Sequence, residues 1–251
     1  MTRFCWLDRQ RRSAAQQMAL DLAAARYAIR HDLALMRWYQ WERDTLSLGA
    51  HEAATRTWHR ERLETDGVAV VRRPTGGRGV WHAADDLTYA WTGPLPDRGS
   101  ARHRYQELHE AMAAVLRANG LAARVSPVTD GRADLTPGAC FDLSLRGEIM
   151  VEDRKAVGAA QRCFPGGLLQ HGAIARHDHR PVENRYLRTP PRPARSSQEN
   201  WPSAEALAEA LEQDELARGA ERAPQELTDA IATASVAELE TFADQEWTWR
   251  R

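Results

Sequence analysis

Arg72-Arg73-Pro74-Thr75-Gly76-Gly77-Arg78-Gly79-Val80-Trp81-His82 is the stretch on which the reading of this chain turns. It follows Gly67-Val68-Ala69-Val70-Val71, a short β-branched run of the kind that forms a buried strand, and it leads into a second extended segment. Glycine alone accounts for a hairpin loop at such a place. The same residues also suit a cradle of backbone amides for a carboxylate, thioester or phosphate, with Arg side chains close by. The stretch is not a P-loop, because no Gly-Lys-Ser/Thr follows. Nor is it the dinucleotide fingerprint, because no helix opens after it.

Working outward, the flanks give a mixed pattern. Ser13-Ala14-Ala15-Gln16 reads as a capping box, opening a helix to about Ala28 with Met18, Leu22, Ala25 and Ile29 on one face. Leu33 to Trp41 and Thr45 to Leu48 read as extended, and Asp86 to Thr92 alternates around Leu87, Tyr89 and Trp91. A second helix is expected from about Ala101 to Ala118, with an apolar stripe of Tyr105, Leu108, Met112, Val115 and Leu116, ended by Asn119-Gly120. Cys140 to about Ile174 is extended again, broken by turn signals at Arg146-Gly147, Glu152-Asp153 and Pro165-Gly166-Gly167. Strands and helices are mixed without strict alternation, so the expected class is α/β, a mixed and largely antiparallel sheet flanked by helices. Beyond it, Pro181, Pro190, Pro191 and Pro193 mark residues 180–202 as a Pro-rich linker or loop. Ser203 caps a helix to about Ala217, Pro224 suits the first turn of another, and Ser235-Val236-Ala237-Glu238 reads as a further capping box. The expected organisation is a catalytic domain over 1–179, the segment 180–202, and a small helical region over 203–251 packed on the same domain.

The chain has 251 residues, room for a substantial core, and a net charge of −1. That balance excludes a nucleic-acid binder working through a general basic field. No apolar run approaches the roughly 18 residues of a membrane span, and the first residues lack the apolar region of a secretory signal. Three cysteines, Cys5, Cys140 and Cys163, without metal spacing suit free thiols in a reducing, cytoplasmic compartment. One count is more pointed. Of 34 basic residues a single one is Lys, Lys155. Drift that exchanges Lys for Arg wherever either serves leaves Lys where a compact ammonium is needed and a planar guanidinium is not tolerated.

Cys140 opens the second place of interest, Gly138-Ala139-Cys140-Phe141-Asp142. A Cys at the start of an apolar strand is commonly a small core residue. If Cys140–Leu145 pairs with 148–153 around Arg146-Gly147, however, Cys140 and Lys155 fall at one end of the sheet, and a nearby cation favours the nucleophilic thiolate. His177-Asp178-His179 offers adjacent loop residues that rarely complete a metal site, and no metal is expected.

Several blocks in order resemble the lipoate–protein ligase A and octanoyltransferase family of the biotin/lipoate protein ligase superfamily. Arg72 to Gly79 with His82 is similar to its Arg-Arg-x-Thr-Gly-Gly loop, Asp86-Leu87-Thr88-Tyr89 to the segment after that loop, Arg154-Lys155 with Gly158 and Gln161 to its lysine segment, and Gln170-His171-Gly172 to its His-Gly. Met18-Ala19-Leu20-Asp21 matches its first helix and Glu246-Trp247-Thr248-Trp249 its C-terminal end; Leu22 and Ala159 depart from the family's usual residues. Cys140-Phe141-Asp142 resembles the Cys-containing, LipM-type octanoyltransferases. The resemblance implies that Cys140 and Lys155 are catalytic. It further implies that Arg72, Arg73, Thr75, Gly76, Gly77, Gly79, His82, Gly158, Gln161, His171 and Gly172 bind substrate. The implied reaction moves an octanoyl or lipoyl group from acyl carrier protein to a lysine of a lipoyl-domain protein, such as glycine-cleavage H protein or a dehydrogenase E2 subunit. It needs no cofactor, nucleic acid or membrane, and the enzyme is expected to be a monomer. The alternative is an ATP-dependent lipoate or octanoate ligase, which alone would require ATP and magnesium. A non-catalytic carrier-binding protein is a third class, against which Cys140 and Lys155 together speak.

Overall fold

In the computed structural model, the described residues are 3–95, 100–126, 147–152, 154–189, 191, 193–194 and 200–250. In chain order they form β1 (Arg3–Arg12), α1 (Ala14–Arg30), β2 (Leu33–Trp41), β3 (Thr45–Leu48), α2 (Ala54–Thr57), α3 (Arg60–Thr65), β4 (Ala69–Arg72), β5 (Val80–His82), β6 (Leu87–Pro94) and α4 (Ser100–Ala118). They continue with β7 (Ala123–Val125), β8 (Ile149–Val151), β9 (Arg154–Phe164), β10 (Gly167–Ile174), α5 (Arg180–Glu183), α6 (Ala204–Ala217), β11 (Glu221–Arg222), α7 (Gln225–Ala243) and α8 (Gln245–Trp249). Among them an eight-stranded sheet runs β11-β1-β2-β6-β10-β9-β8-β7 and a three-stranded sheet β4-β3-β5. Neighbours in the large sheet are antiparallel except where β1 meets β2 and β11.

The central strands β2, β6 and β10 are buried on both faces, which is why β2 reads as a nearly unbroken apolar run. Met36 and Trp38 point to one side with Tyr89 and Trp91, against Met112, Val115 and Leu116 of α4 and Leu207, Ala208 and Leu211 of α6. Tyr39 and Trp41 point to the other, against Met18, Leu22 and Ala25 of α1. The capping box forms as expected: the Gln16 amide donates to the Ser13 hydroxyl, and Gln16 accepts from the Ser13 amide. α1 is buried on more than the single face its spacing suggested. Leu20, Ala23 and Ala24 are covered by Leu227 and Ile231 of α7 and by Cys5 and Leu35 of the sheet.

The expected pairing of Cys140–Leu145 with 148–153 falls on residues 140–146, which lie outside the described residues; among the described ones β8 has β7 on one edge (Ala123↔Val151) and β9 on the other (Met150↔Lys155). One expectation is corrected: Ser235 does not start a helix. It sits inside the continuous α7, and its hydroxyl donates back to the Ala232 carbonyl at 2.7 Å, as mid-helix Ser does. Pro224 is the N-cap of α7, one position before the first turn. The strand β1, paired in parallel with β2, had no expectation attached to it. Within 180–202, Arg180–Glu183 forms α5 and Tyr186 and Leu187 are buried against Trp58 and Trp81. No helix among the described residues is long and apolar enough to cross a membrane.

Candidate active site

The Gly-rich loop joins β4 to β5 in the small sheet and is held down by its own arginines. Arg73 donates to the carbonyls of Ser47, Gly76 and Arg78, each at 2.7 Å, which folds the loop around one guanidinium. Gly77 has φ +94°, and a Cβ there would stand 2.8 Å from Arg73 Nη2, so the position excludes a side chain on two counts. The Gly77 carbonyl in turn lies so close to Gly49 that a Cβ on Gly49 would overlap it. Arg72 faces elsewhere. It donates to carbonyls of Gly49, Glu52, Trp247, Thr248 and Arg250, and so ties the loop's base to the C-terminal segment. Gly79 packs under Trp58, whose ring stands 2.6 Å from where a Cβ would be.

Beside the loop lies a cavity of about 90 Å³. Its walls are largely apolar, Met18, Trp41, Val80, Ala159, Ala160 and Ala173, with Arg73, Gly77, His82, Gly158, His171 and Gly172 among the expected site residues that line it. His82 is buried. Its Nε2 lies 2.8 Å from Ser47 Oγ, and its Nδ1 has no hydrogen-bond partner among the described residues. Burial, with Arg73 nearby, holds this imidazole well below its ordinary pKa, so it is neutral. His171 is engaged at both ring nitrogens: Nδ1 lies 3.1 Å from Asp21 Oδ2, and Nε2 lies 2.5 Å from Thr75 Oγ1. Asp21 is fixed by Arg37 and by the Tyr39 hydroxyl at 2.8 Å. The first helix thus positions Thr75, the residue before Gly76, through one imidazole.

Lys155 stands at the other side of Gly158. The sequence pattern would set these two residues on opposite faces of a strand, since side chains alternate. The register of β9 against β8 shifts, with Val157 opposite Ile149 but Lys155 opposite Met150, so Ala156 is an extra residue in β9. Ala156 and Val157 both pack into the α4-side core, and Lys155 is turned to the same side as Gly158, as bulges beside active sites often do. A Cβ on Gly158 would be 2.6 Å from Lys155 Cε and 3.0 Å from its Nζ. The ammonium reaches Glu148 Oε1 at 2.5 Å, both side chains being almost fully buried. Glu148 also lines the cavity. Sequence reading passed over it, since a single Glu ahead of Ile149-Met150-Val151 looks like a strand end. The signal available was an acidic residue beside a run that must be buried.

Gln161 lies off the cavity wall, at the half-buried start of a chain of hydrogen bonds that runs into the core. Gln161 donates to Gln170 at 2.8 Å, Gln170 donates to the Tyr89 hydroxyl at 3.0 Å, Tyr89 lies 2.9 Å from His109 Nε2, and His109 Nδ1 lies 2.5 Å from the Gly147 carbonyl. A carbonyl only accepts, so Nδ1 carries the proton and the tautomer of His109 is fixed. Burial pushes His109 down to about 4. His177 and His179 pair with different carboxylates, Asp85 and Asp86.

The arrangement is a partly open, largely apolar slot bordered by a backbone loop, a neutral imidazole and Glu148, the carboxylate paired with the Lys155 ammonium behind Gly158. It suits an acyl chain whose carbonyl end meets the cation. Comparison with known proteins agrees with that chemistry. Octanoyltransferase LipM of Exiguobacterium sp. is 36% identical over 187 residues, 69% of this chain and 67% of that protein. Its counterpart in Carboxydothermus hydrogenoformans is 36% identical over 168 residues, 64% of this chain and 61% of that protein. The matched part is thus about two thirds or less of the length of such curated relatives. In fold, the chain superimposes on a Thermoplasma acidophilum protein described as a lipoate protein ligase with bound lipoic acid (TM-score 0.80, 20% identity, 99% of this chain and 100% of that one). A lipoate-protein ligase A bound with ATP matches with a TM-score of 0.80 and 21% identity over 99% of each chain. Residues 13–191 match the family model of the lipoyl protein ligase A/B catalytic domain, and the chain belongs to that family.

Proposed function

We propose that this protein is an octanoyltransferase that moves an octanoyl or lipoyl group from acyl carrier protein to a lysine of a lipoyl-domain protein through a thioester on Cys140. The observation that carries the reading is the chain's only lysine, buried beside an apolar cavity and separated from it by Gly158. Its likeness to octanoyltransferases supports the choice within the family.

In this reading the acyl chain occupies the slot between Trp41, Ala160 and the Gly77 loop. The Cys140 thiolate adds to the thioester carbonyl, and the carrier's thiolate leaves as the enzyme thioester forms. Lys155 donates to the developing oxyanion, where a fixed cation in a dry site acts most strongly. The amine of the target lysine then adds to the enzyme thioester. The amide forms, the Cys140 sulfur departs, and it takes up the proton that the amine loses. A thioester is already activated, so the transfer consumes no nucleotide. Arg73 and Gly77 shape the wall, while Asp21, His171 and Thr75 hold the loop against it.

The test is incubation with octanoyl-carrier protein and an apo lipoyl domain, with and without ATP. The expected outcome is transfer without ATP, with a hydroxylamine-sensitive octanoyl adduct seen by intact mass spectrometry. Cys140→Ala should lose the adduct, whereas Cys5→Ala and Cys163→Ala should keep it. Modification from free octanoate plus ATP, with Cys140→Ala fully active, would replace this reading by a ligase.

A further inference from the structure

We propose that Glu148 is a positioning residue for Lys155: its carboxylate sets where the ammonium sits beside the acyl slot and keeps it charged there. The inference rests on the role given to Lys155 above and adds a residue to it.

The geometry supports it at three points. Lys155 Nζ and Glu148 Oε1 are 2.5 Å apart with side chains 1% and 2% exposed, so the ammonium has exchanged water for a carboxylate. An ammonium in such a place loses its proton easily unless a counter-charge holds it. Glu148 is itself fixed from both sides. Its carbonyl accepts from the Ser126 amide at 2.7 Å, and the preceding carbonyl, of Gly147, faces His109 Nδ1 at 2.5 Å, the end of the buried chain that starts at Gln161. Finally, the bulge at Ala156 turns Lys155 toward Glu148 and across Gly158, where there is no room for a Cβ. A strand irregularity, a glycine and a buried neutral chain all converge on one ion pair whose acidic member borders the cavity. A pair serving stability alone needs no such arrangement, since apolar residues of similar volume often stabilise as well.

The experiment measures single-turnover octanoyl loading of the full chain from octanoyl-carrier protein between pH 6 and 10, for wild type, Glu148→Gln, Glu148→Asp and Lys155→Ala. Glu148→Gln is expected to load about 100-fold more slowly, the scale of a misplaced catalytic group, with KM for the carrier within about threefold. The alkaline limb of its profile should move down by a unit or more, because the ammonium has lost a carboxylate at contact distance. Glu148→Asp keeps the charge but withdraws it by one methylene, so the limb should return while the rate stays at least tenfold low. A change confined to the fold would not move the limb. Glu148→Gln loading at the wild-type rate with an unmoved limb, while Lys155→Ala fails to load, overturns the role of Glu148 and leaves that of Lys155 standing. Lys155→Ala loading normally overturns both. Should Glu148→Gln not fold, Glu148→Asp decides: slow loading with the limb in place supports the proposal, and wild-type loading overturns it.

Discussion

Replacing Gly158 by Ala adds one methyl group directly against the Lys155 side chain. That Cβ would lie 2.6 Å from Lys155 Cε, 3.0 Å from Nζ and 3.6 Å from Glu148 Oε1. Carbon atoms rest about 3.5–4.0 Å apart, so the lysine side chain must retreat by about 1 Å. β9 cannot give instead, because it is paired with β10 along its length, Gly158 facing Ala173. The ammonium therefore shifts relative to Glu148. If the pair were wholly lost, the destabilisation would be about 3–5 kcal/mol. A 1 Å retreat that keeps the ions in contact costs less, and its main effect is on rate, about 100-fold. The assay is octanoyl loading followed by intact mass, beside urea unfolding of the same protein. Loading should fall about 100-fold while the fold survives with reduced stability. A Gly158→Ala protein that loads at the wild-type rate would refute the placement of Lys155 as the reacting cation.

Three other outcomes follow from the structure. Lys155→Arg keeps the charge but brings a planar fork into a space walled by Glu148 and Gly158; loading should drop about 10²–10³-fold, the cost of losing one oxyanion donor, and a near-normal rate would mean that any cation serves. Gly77→Val places a β-branched residue at φ +94° with its Cβ against Arg73; loading should be blocked while cooperative melting persists, and normal loading would reduce the loop to a turn. Glu215 on α6 is buried, and that burial pushes its carboxyl up to about 8. The folded protein therefore keeps this proton between pH 4.5 and 8 while the unfolded chain releases it, so stability from this group is full below about pH 4.5 and is lost as pH rises through 8. Glu215→Gln should flatten that decline, raising stability at pH 9 by a few kcal/mol on the scale of about 1.4 kcal/mol per pKa unit; urea midpoints that fall equally in both proteins would show that Glu215 is not the group responsible.

Local rules determine much of this protein. The capping box at Ser13, the stop at Asn119-Gly120 and the runs of β2, β3 and β6 obey short-range sterics and side-chain periodicity, and they appear where those rules place them. The single lysine is a fact of composition, and its burial follows from the reason drift left it in place. What the sequence by itself did not determine depends on partners far apart in the chain. The four residues Ser235-Val236-Ala237-Glu238 spell a helix start, yet α7 runs through them because Leu227, Ile231 and Phe242 dock along its length. Glu148 became the partner of Lys155 only once β8 was fixed between β7 and β9. His171 joined Asp21 to Thr75 only once α1 lay across the sheet. The bulge at Ala156 has no glycine to announce it, since alternation is counted within one strand and a register shift exists only between two. That one extra residue sets Lys155 and Gly158 on a common face, which is why the site's central contact was decided by tertiary pairing and not by the spacing of its residues.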